Sequence, residues 1–171
     1  MKPVLARDLM KVGVPTCKTS TPLRDVARFL IEHNVEEMVV LDEEGHGVGV
    51  VGYQEIVAQA GSEEPGDMTA EAIMSESMTE LPAELPIAAA AQLLKDKGVR
   101  VGYMLHNAAG ITYPAAYLSY RHILRLLAAR DEGELKDLGL AAERKSPVEQ
   151  FIEKRDAARR RAGSADSARS G

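Results

Sequence analysis

Sixty-four residues separate two copies of one apolar pattern. At that offset Thr21-Pro22-Leu23 meets Leu85-Pro86-Ile87, and Leu9-Met10 meets Ile73-Met74. Val26, Leu30 and Val35 likewise meet Ala90, Leu94 and Val99, and the match continues to Leu41 and Leu105. A three-residue insertion follows, after which Tyr53-Gln54-Glu55-Ile56 meets Tyr120-Arg121-His122-Ile123 at an offset of 67. Self-similarity of this kind means that one supersecondary unit is used twice. A unit of about 60 residues leaves much of its sheet surface open, so two copies packed sheet to sheet are expected to form one pseudo-symmetric module.

Both copies have the same element order. Leu23, Val26, Ala27, Leu30 and Ile31 fall at i, i+3, i+4, i+7 and i+8, the stripe of an amphipathic helix. Thr21 is placed to cap that helix and Pro22 to occupy its first position, where a missing N–H costs nothing. The apolar run 38–41 reads as a buried strand, Asp42-Glu43-Glu44-Gly45 as a turn, and 48–51 as a second strand. A helix over 54–60 closes the copy. The second copy has Ile87, Ala90, Ala91 and Leu94 on its stripe, strands over 101–105 and 115–118, and a closing helix over 120–129. The stretch 61–67 is polar and rich in breakers, as a linker is. The expected division is therefore a first repeat over 1–62, a second over 68–130, and a helical extension with a disordered tail over 131–171. Ser146-Pro147-Val148-Glu149 is a capping box that opens the extension's helix, whose large apolar residues are Val148, Phe151 and Ile152.

Composition narrows the function. The chain is 45% apolar and 27% charged, the balance of a globular protein in water. Its net charge of −5 and pI near 5.4 argue against nucleic acid as a partner, because phosphate neutralisation needs a basic surface. Cys17 is the one cysteine, so neither a disulfide framework nor a cysteine zinc site is expected. No apolar run approaches the roughly 20 residues of a membrane span, and MKPVLARDLM lacks the apolar core of a signal peptide. The expected location is the cytoplasm.

The repeated string resembles a tandem pair of cystathionine-β-synthase-type (CBS) domains, a Bateman module. Asp8-Leu9-Met10, Thr21-Pro22-Leu23, Asn34 through Asp42, Gly45 and Gly49-Val50-Val51-Gly52-Tyr53-Gln54-Glu55-Ile56 carry the likeness. The second copy repeats it from Ala72-Ile73-Met74 to Ile123, so the resemblance covers about residues 5 to 130. It implies an α+β fold of two βαββα repeats packed sheet to sheet, with the helical extension added. It also implies a regulatory site for AMP, ADP, ATP or S-adenosylmethionine in the cleft between repeats, a homodimer, and no catalysis. The family pattern at the strand-to-helix joint is Gly, two apolar residues, Ser or Thr, two variable residues, then Asp. In that pattern the hydroxyl meets phosphate or ribose and the carboxylate accepts from the ribose hydroxyls, since an ionised carboxylate can take two O–H donors at once.

Carried over position by position, the resemblance places Glu55, Gly52, Val39, Met38, Ser119, His122, Arg121 and Tyr103 at the ligand. In the first copy Gly52 stands for the hydroxyl residue and Glu55 for the Asp, which keeps the acceptor pair on a longer arm. In the second, Ser119 keeps the hydroxyl but His122 replaces the Asp, and a neutral imidazole offers one acceptor only. Arg121 and His122 beside Ser119 could instead meet an anion. Tyr103 could stack on a flat ring or simply fill the core. Glu36 and Glu37 disfavour a triphosphate at the first site. The first site is thus the nucleoside candidate and the second is altered or empty.

Other chemistry finds little support. His33, His46, His106 and His122 lack metal-site spacing, Cys17 has no evident base, and Gly45-His46-Gly47-Val48-Gly49 joins two strands rather than opening a helix as a phosphate loop does. Two readings stay open: a sensor of an adenosyl compound whose C-terminal helix reports to a protein partner, and a degenerate pair that dimerises or scaffolds without a ligand.

Overall fold

The computed structural model describes residues 3–76, 78–108, 110–137, 148 and 150–157. Most of the Ser146–Glu149 capping box, the Arg159-Arg160-Arg161 run and the tail after it lie outside the described residues. The first repeat contains β2 (Thr16–Lys18), α2 (Leu23–His33), β3 (Glu37–Leu41), β4 (Gly47–Gly52) and α3 (Tyr53–Val57). The second contains α5 (Ile87–Asp96), β5 (Val101–Ala108), β6 (Ile111–Ser119) and α6 (Tyr120–Ala128). Two further short helices, α1 (Ala6–Leu9) and α4 (Ala70–Ile73), and a two-residue strand β1 (Lys11–Val12), precede the repeats. A helix α7 (Glu132–Asp137) and a last helix over 150–157 follow them.

Two three-stranded sheets result, β2-β3-β4 and β1-β6-β5. Strand alternation sorts their side chains. Met38, Val40 and Val51 join Leu23, Val26 and Leu30 in one core beneath α2, while Met104, Ala116 and Leu118 join Ala90 and Leu81 in the other. Val39, Val50, Val101, Tyr103 and Tyr117 point the opposite way and form a third cluster where the sheets face one another. The sheet-to-sheet packing expected from the repeat is what these residues build.

The segments ahead of the repeats are exchanged. Ala6, Leu9, Met10 and Val12 are buried in the core of the second repeat, β1 pairs with β6 through Lys11↔Tyr117 and Val12↔Ala116, and the Ile87 N–H donates to the Val4 carbonyl at 2.9 Å. Sixty-four residues later the same contacts recur on the first repeat: Ser75 pairs with Val50, and the Leu23 N–H donates to the Met68 carbonyl at 2.7 Å. This exchange explains a difference at the start of α2. Pro22, with extended ψ of 143°, is the N-cap itself rather than the first helical residue. The orphan Leu23 N–H is satisfied by the neighbouring segment, and the Thr21 hydroxyl accepts from the Lys18 N–H instead of capping α2.

Both long helices end in the left-handed region, at Asn34 (φ 53°) and Gly98 (φ 67°). The next N–H reaches back five residues in each, Val35 to the Leu30 carbonyl and Val99 to the Leu94 carbonyl, as in a Schellman turn. These turns aim 35–37 and 99–101 at the space between the sheets.

The three-residue insertion falls in the β5–β6 hairpin, whose arms reach Ala108 and Ile111 and outrun the expected 101–105 and 115–118. The added length makes a dock for the last helix. Phe151 packs on Tyr113 and His106, with ring centroids 5.3 and 5.7 Å away, and the Lys154 ammonium donates to the Val12 carbonyl at 3.1 Å. Phe151→Ala is expected to release this helix at a local cost of about 2 kcal/mol, toward the low end for large-to-small changes because the ring is half-buried. Hydrogen exchange should speed over 150–157 and stay slow in β5 and β6; unchanged exchange over 150–157 would contradict the docking.

Candidate functional site

At both strand-to-helix joints the third helical side chain turns back on its own N-cap. Glu55 Oε2 accepts from the Gly52 N–H at 3.0 Å, and His122 Nδ1 accepts from the Ser119 N–H at 3.1 Å. This is the return bond of a capping box, so each side chain has a structural task before any ligand arrives. For His122 the bond also assigns the tautomer: Nδ1 must be bare to accept, which puts the proton of the neutral ring on Nε2. The ring is 7% exposed and lies 5.2 Å from Tyr117. Glu55 spends one of roughly four acceptor positions on its cap and keeps the rest.

The joints open onto two clefts of unequal size. The first, about 250 Å³, is walled by Tyr53, Gln54 and Glu55 of α3, by Ser75 and Thr79, and by Lys97 through Val101 from the other repeat. The second, about 110 Å³, is walled by Ser119, Arg121, His122 and Arg125, by Lys11, Val14 and Pro15, by Tyr103 and Tyr117, and by 33–37. Glu36 and Glu37 face both. The eight residues singled out from sequence are therefore divided. Glu55 stands in the first cleft; Ser119, Arg121, His122 and Tyr103 stand in the second. Val39 is fully buried between the sheets and Met38 lies in the first repeat's core, so neither walls a cleft.

Gly52 holds the first joint for a steric reason. It pairs with Glu37 across β3 and β4, and a Cβ added there would lie 2.6 Å from the Glu37 Cβ and 2.7 Å from the Glu36 carbonyl oxygen. No hydroxyl residue fits without movement of the strands. The equivalent pair, Val101 and Ser119, carries a side chain on each strand.

Between the clefts the Tyr103 hydroxyl donates to Glu37 Oε1. Tyr103 is thus a packed interior residue with its polar end satisfied. Burial pushes the Glu37 carboxyl up to about 7; the Tyr103 hydrogen bond works against that rise, and the charges of Glu55 and Glu36 add to it. Burial also raises Glu36, against the opposing pull of Arg121 and Arg100. Lys97 and Arg100 were missed as cleft residues; they stand 64 residues after His33 and Glu36, which wall the second cleft, and they reach the first cleft from the other repeat. Cys17 is held as a thiol, because burial pushes it up to about 11 despite a hydrogen bond with Thr21. Asp42, Glu44 and His46 bring ligand-type atoms within 4.8 Å of one another at the β3–β4 turn. There His46 Nδ1 is already engaged by Asp42 at 3.2 Å.

Residues 6–60 match the family model of the CBS domain. Solved structures extend the likeness across both repeats. The CBS domain pair of protein MJ0100, in complex with 5′-methylthioadenosine and S-adenosyl-L-methionine, superposes with a TM-score of 0.62 at 18% identity, covering 73% of this chain and 100% of that one. This chain has the fold of a tandem CBS domain pair. The CBS domain protein PAE2072 from Pyrobaculum aerophilum, complexed with AMP, gives a TM-score of 0.59 at 20% identity, covering 81% of this chain and 100% of that one. An uncharacterised conserved protein from Pyrococcus horikoshii gives 0.64 at 17%, covering 77% and 98%. No curated protein matches. In this fold the two clefts lie between the repeats, and their walls are unequal. No helix among the described residues is long and apolar enough to cross a membrane.

Proposed function

We propose that this CBS pair is a regulatory module, not an enzyme, and that it senses an adenosyl compound in the first cleft. AMP, ADP, ATP and S-adenosylmethionine are the ligands to consider, and AMP and S-adenosylmethionine accompany its structural neighbours. The observation that carries the reading is the position of Glu55. Its capping bond fixes a carboxylate at the edge of the larger cleft with acceptor capacity left for two ribose hydroxyls. Lys97 and Arg100 on the opposite wall supply cations for a phosphate or for a ligand carboxylate.

Thermal unfolding with each compound at millimolar concentration tests this. A ligand at about 100 times its dissociation constant stabilises by about 2.7 kcal/mol. In Glu55→Ala the ligand-induced increment should fall by about 1–3 kcal/mol, the cost of removing a charged acceptor. The lost cap should cost the apo protein about 1 kcal/mol as well, so each increment is measured against its own apo form. Flat curves with every compound would overturn the reading.

A second reading, a ligand-free dimerisation or interaction module, is favoured by one observation. Val57 and Leu124 occupy equivalent positions on α3 and α6 and are 69% and 63% exposed, with Leu127 at 74%. An apolar strip repeated by the pseudo-symmetry suits a homodimer interface, and a protein partner reached through the C-terminal helix belongs to either reading. Light scattering that returns a monomer at high concentration would contradict the dimer. The division into repeats over 1–62 and 68–130 with an extension over 131–171, and a cytoplasmic location, go with this proposal.

A further inference from the structure

The two sheets face one another through apolar side chains, Val39, Val50, Val101, Tyr103 and Tyr117. Two side-chain hydrogen bonds span the same gap, and each contains a titratable group. Within it the Tyr103 hydroxyl of β5 donates to the Glu37 carboxyl of β3. The pseudo-symmetry supplies no second copy of this link, because the residues equivalent to Tyr103 and Glu37 are Val39 and Val101. At the hairpin end His46, on the β3–β4 turn, reaches the tip of the β5–β6 hairpin, with Nε2 3.4 Å from the Gly110 carbonyl oxygen. Its Nδ1 stands 3.2 Å from Asp42 Oδ2. A carboxylate and a carbonyl can only accept. A neutral imidazole carries one N–H and serves one of them, whereas an imidazolium serves both. Full hydrogen bonding of the closed hairpin contact therefore takes a proton on His46. Glu37 favours its proton for a different reason: it is partly buried between the repeats, and once ionised it must draw in water from the two clefts that it lines.

We propose that these two links form a proton-operated clamp: protonation of Glu37 and His46 draws the repeats together and narrows both clefts, and deprotonation lets the sheets part. Both transitions run the same way. Burial keeps Glu37 protonated up to about 7, against 4.5 ordinarily, so its contribution to closure is whole below 4.5 and is lost as pH rises through 7. A histidine changes charge between about pH 5 and 8, and the hairpin link weakens in the same direction. Glu36 and Glu55 add negative charge beside Glu37 and oppose its ionisation. Arg100 and Arg121 exert their pull on Glu36, while Lys97 in the first cleft and Lys11 and Arg125 in the second complete the cationic side of the walls. Tyr53 lines the first cleft, and His33, His122 and Tyr117 line the second. His46 is faced by Asp42 and Glu44 of its own turn, and the opposing tip, 107–112, has no charged residue. The clamp does not depend on what either cleft binds.

Methyl NMR of the full chain with a neutral, soluble nitroxide as the paramagnetic probe tests the clamp. Neighbouring residues supply the control: Val39 lies in the gap between the sheets and Val40 in the core beneath α2. Raising the pH from 5 to 8 should increase the paramagnetic relaxation of the Val39, Val50 and Val101 methyls by about twofold or more, through local opening of the gap. The midpoint is expected near the value of about 7 set by Glu37. The methyls of Val26 and Val40 should not respond, whereas a general loss of stability would move both groups together. Glu37→Gln should remove most of the response. His46→Ala, on a turn at the surface, should bring the Leu41 and Leu105 methyls at pH 5 to the relaxation they show in the wild type at pH 8; both pack against the gap cluster, and Leu41 adjoins the His46 turn. Equal responses at Val39 and Val40, no response at either, or an undiminished response in Glu37→Gln would overturn the proposal. So would Leu41 and Leu105 methyls that are indifferent to His46→Ala.

Discussion

Glu37→Gln is expected to flatten the dependence of stability on pH between about 4.5 and 7. In the folded chain the Glu37 carboxyl keeps its proton up to about 7, against 4.5 in its ordinary surroundings. The folded state therefore binds more protons than the unfolded state across that window. Stability is fully present below 4.5 and is lost as pH rises through 7. A displacement of this size corresponds to about 3 kcal/mol, a large fraction of what a domain has to spare. Glutamine keeps a carbonyl acceptor for the Tyr103 hydroxyl and removes the titration. Urea midpoints measured from pH 4.5 to 8 should slope downward for the wild type and run level for the variant, and parallel slopes would contradict the assignment. Glu37 faces both clefts, so its ionisation above pH 7 also adds a negative charge to each and should weaken any anionic ligand there.

Gly52→Ser carries the second large effect, and it runs against what the family pattern suggests. That substitution would restore the hydroxyl residue of the pattern, yet its Cβ would meet the Glu37 Cβ at 2.6 Å and the Glu36 carbonyl oxygen at 2.7 Å. The first of these atoms belongs to the residue paired with Gly52 across the ladder and the second to backbone, so neither can swing aside. Overpacking of this kind costs about 1–3 kcal/mol. The strand shift it forces also disturbs the Glu37–Tyr103 bond and the Gly52 N–H that Glu55 caps. The variant should unfold at lower urea and bind adenosyl compounds no better than the wild type. A neutral midpoint with tighter binding would show that the approach of β3 to β4 is looser than described.

How far the sequence reached depended on what kind of fact was sought. The repeat at 64 residues was enough for the elements, the two-sheet architecture and the insertion, because an offset in apolar positions reports directly on shared burial. It did not show that 4–12 packs on the second repeat and 68–75 on the first. Short segments such as Ala6–Leu9 carry too few residues for periodicity to say which core they enter. The cleft residues were legible where a pattern names them, as at Glu55 and His122. Val39 and Met38 were misplaced by adjacency along a strand, since alternation sends one between the sheets and the other into the core beneath α2. Lys97 and Arg100 escaped because they reach the first cleft from the other repeat, and only the packing of the two repeats brings them there. The capping bond of Glu55 had a local signal, Glu three residues after the N-cap, that the ribose pattern overshadowed, whereas His122 at the same position of the second joint carried none.

The proposed function stands or falls on whether an adenosyl compound occupies the first cleft. Amide chemical-shift mapping during titration with AMP and with S-adenosylmethionine tests it most directly. At least one of them is expected to perturb the amides of Tyr53–Val57, of Ser75 and Thr79, and of 97–101, with the largest changes around Glu55. Perturbations centred on Lys11, Arg121 and Arg125, or none with either compound, would contradict it.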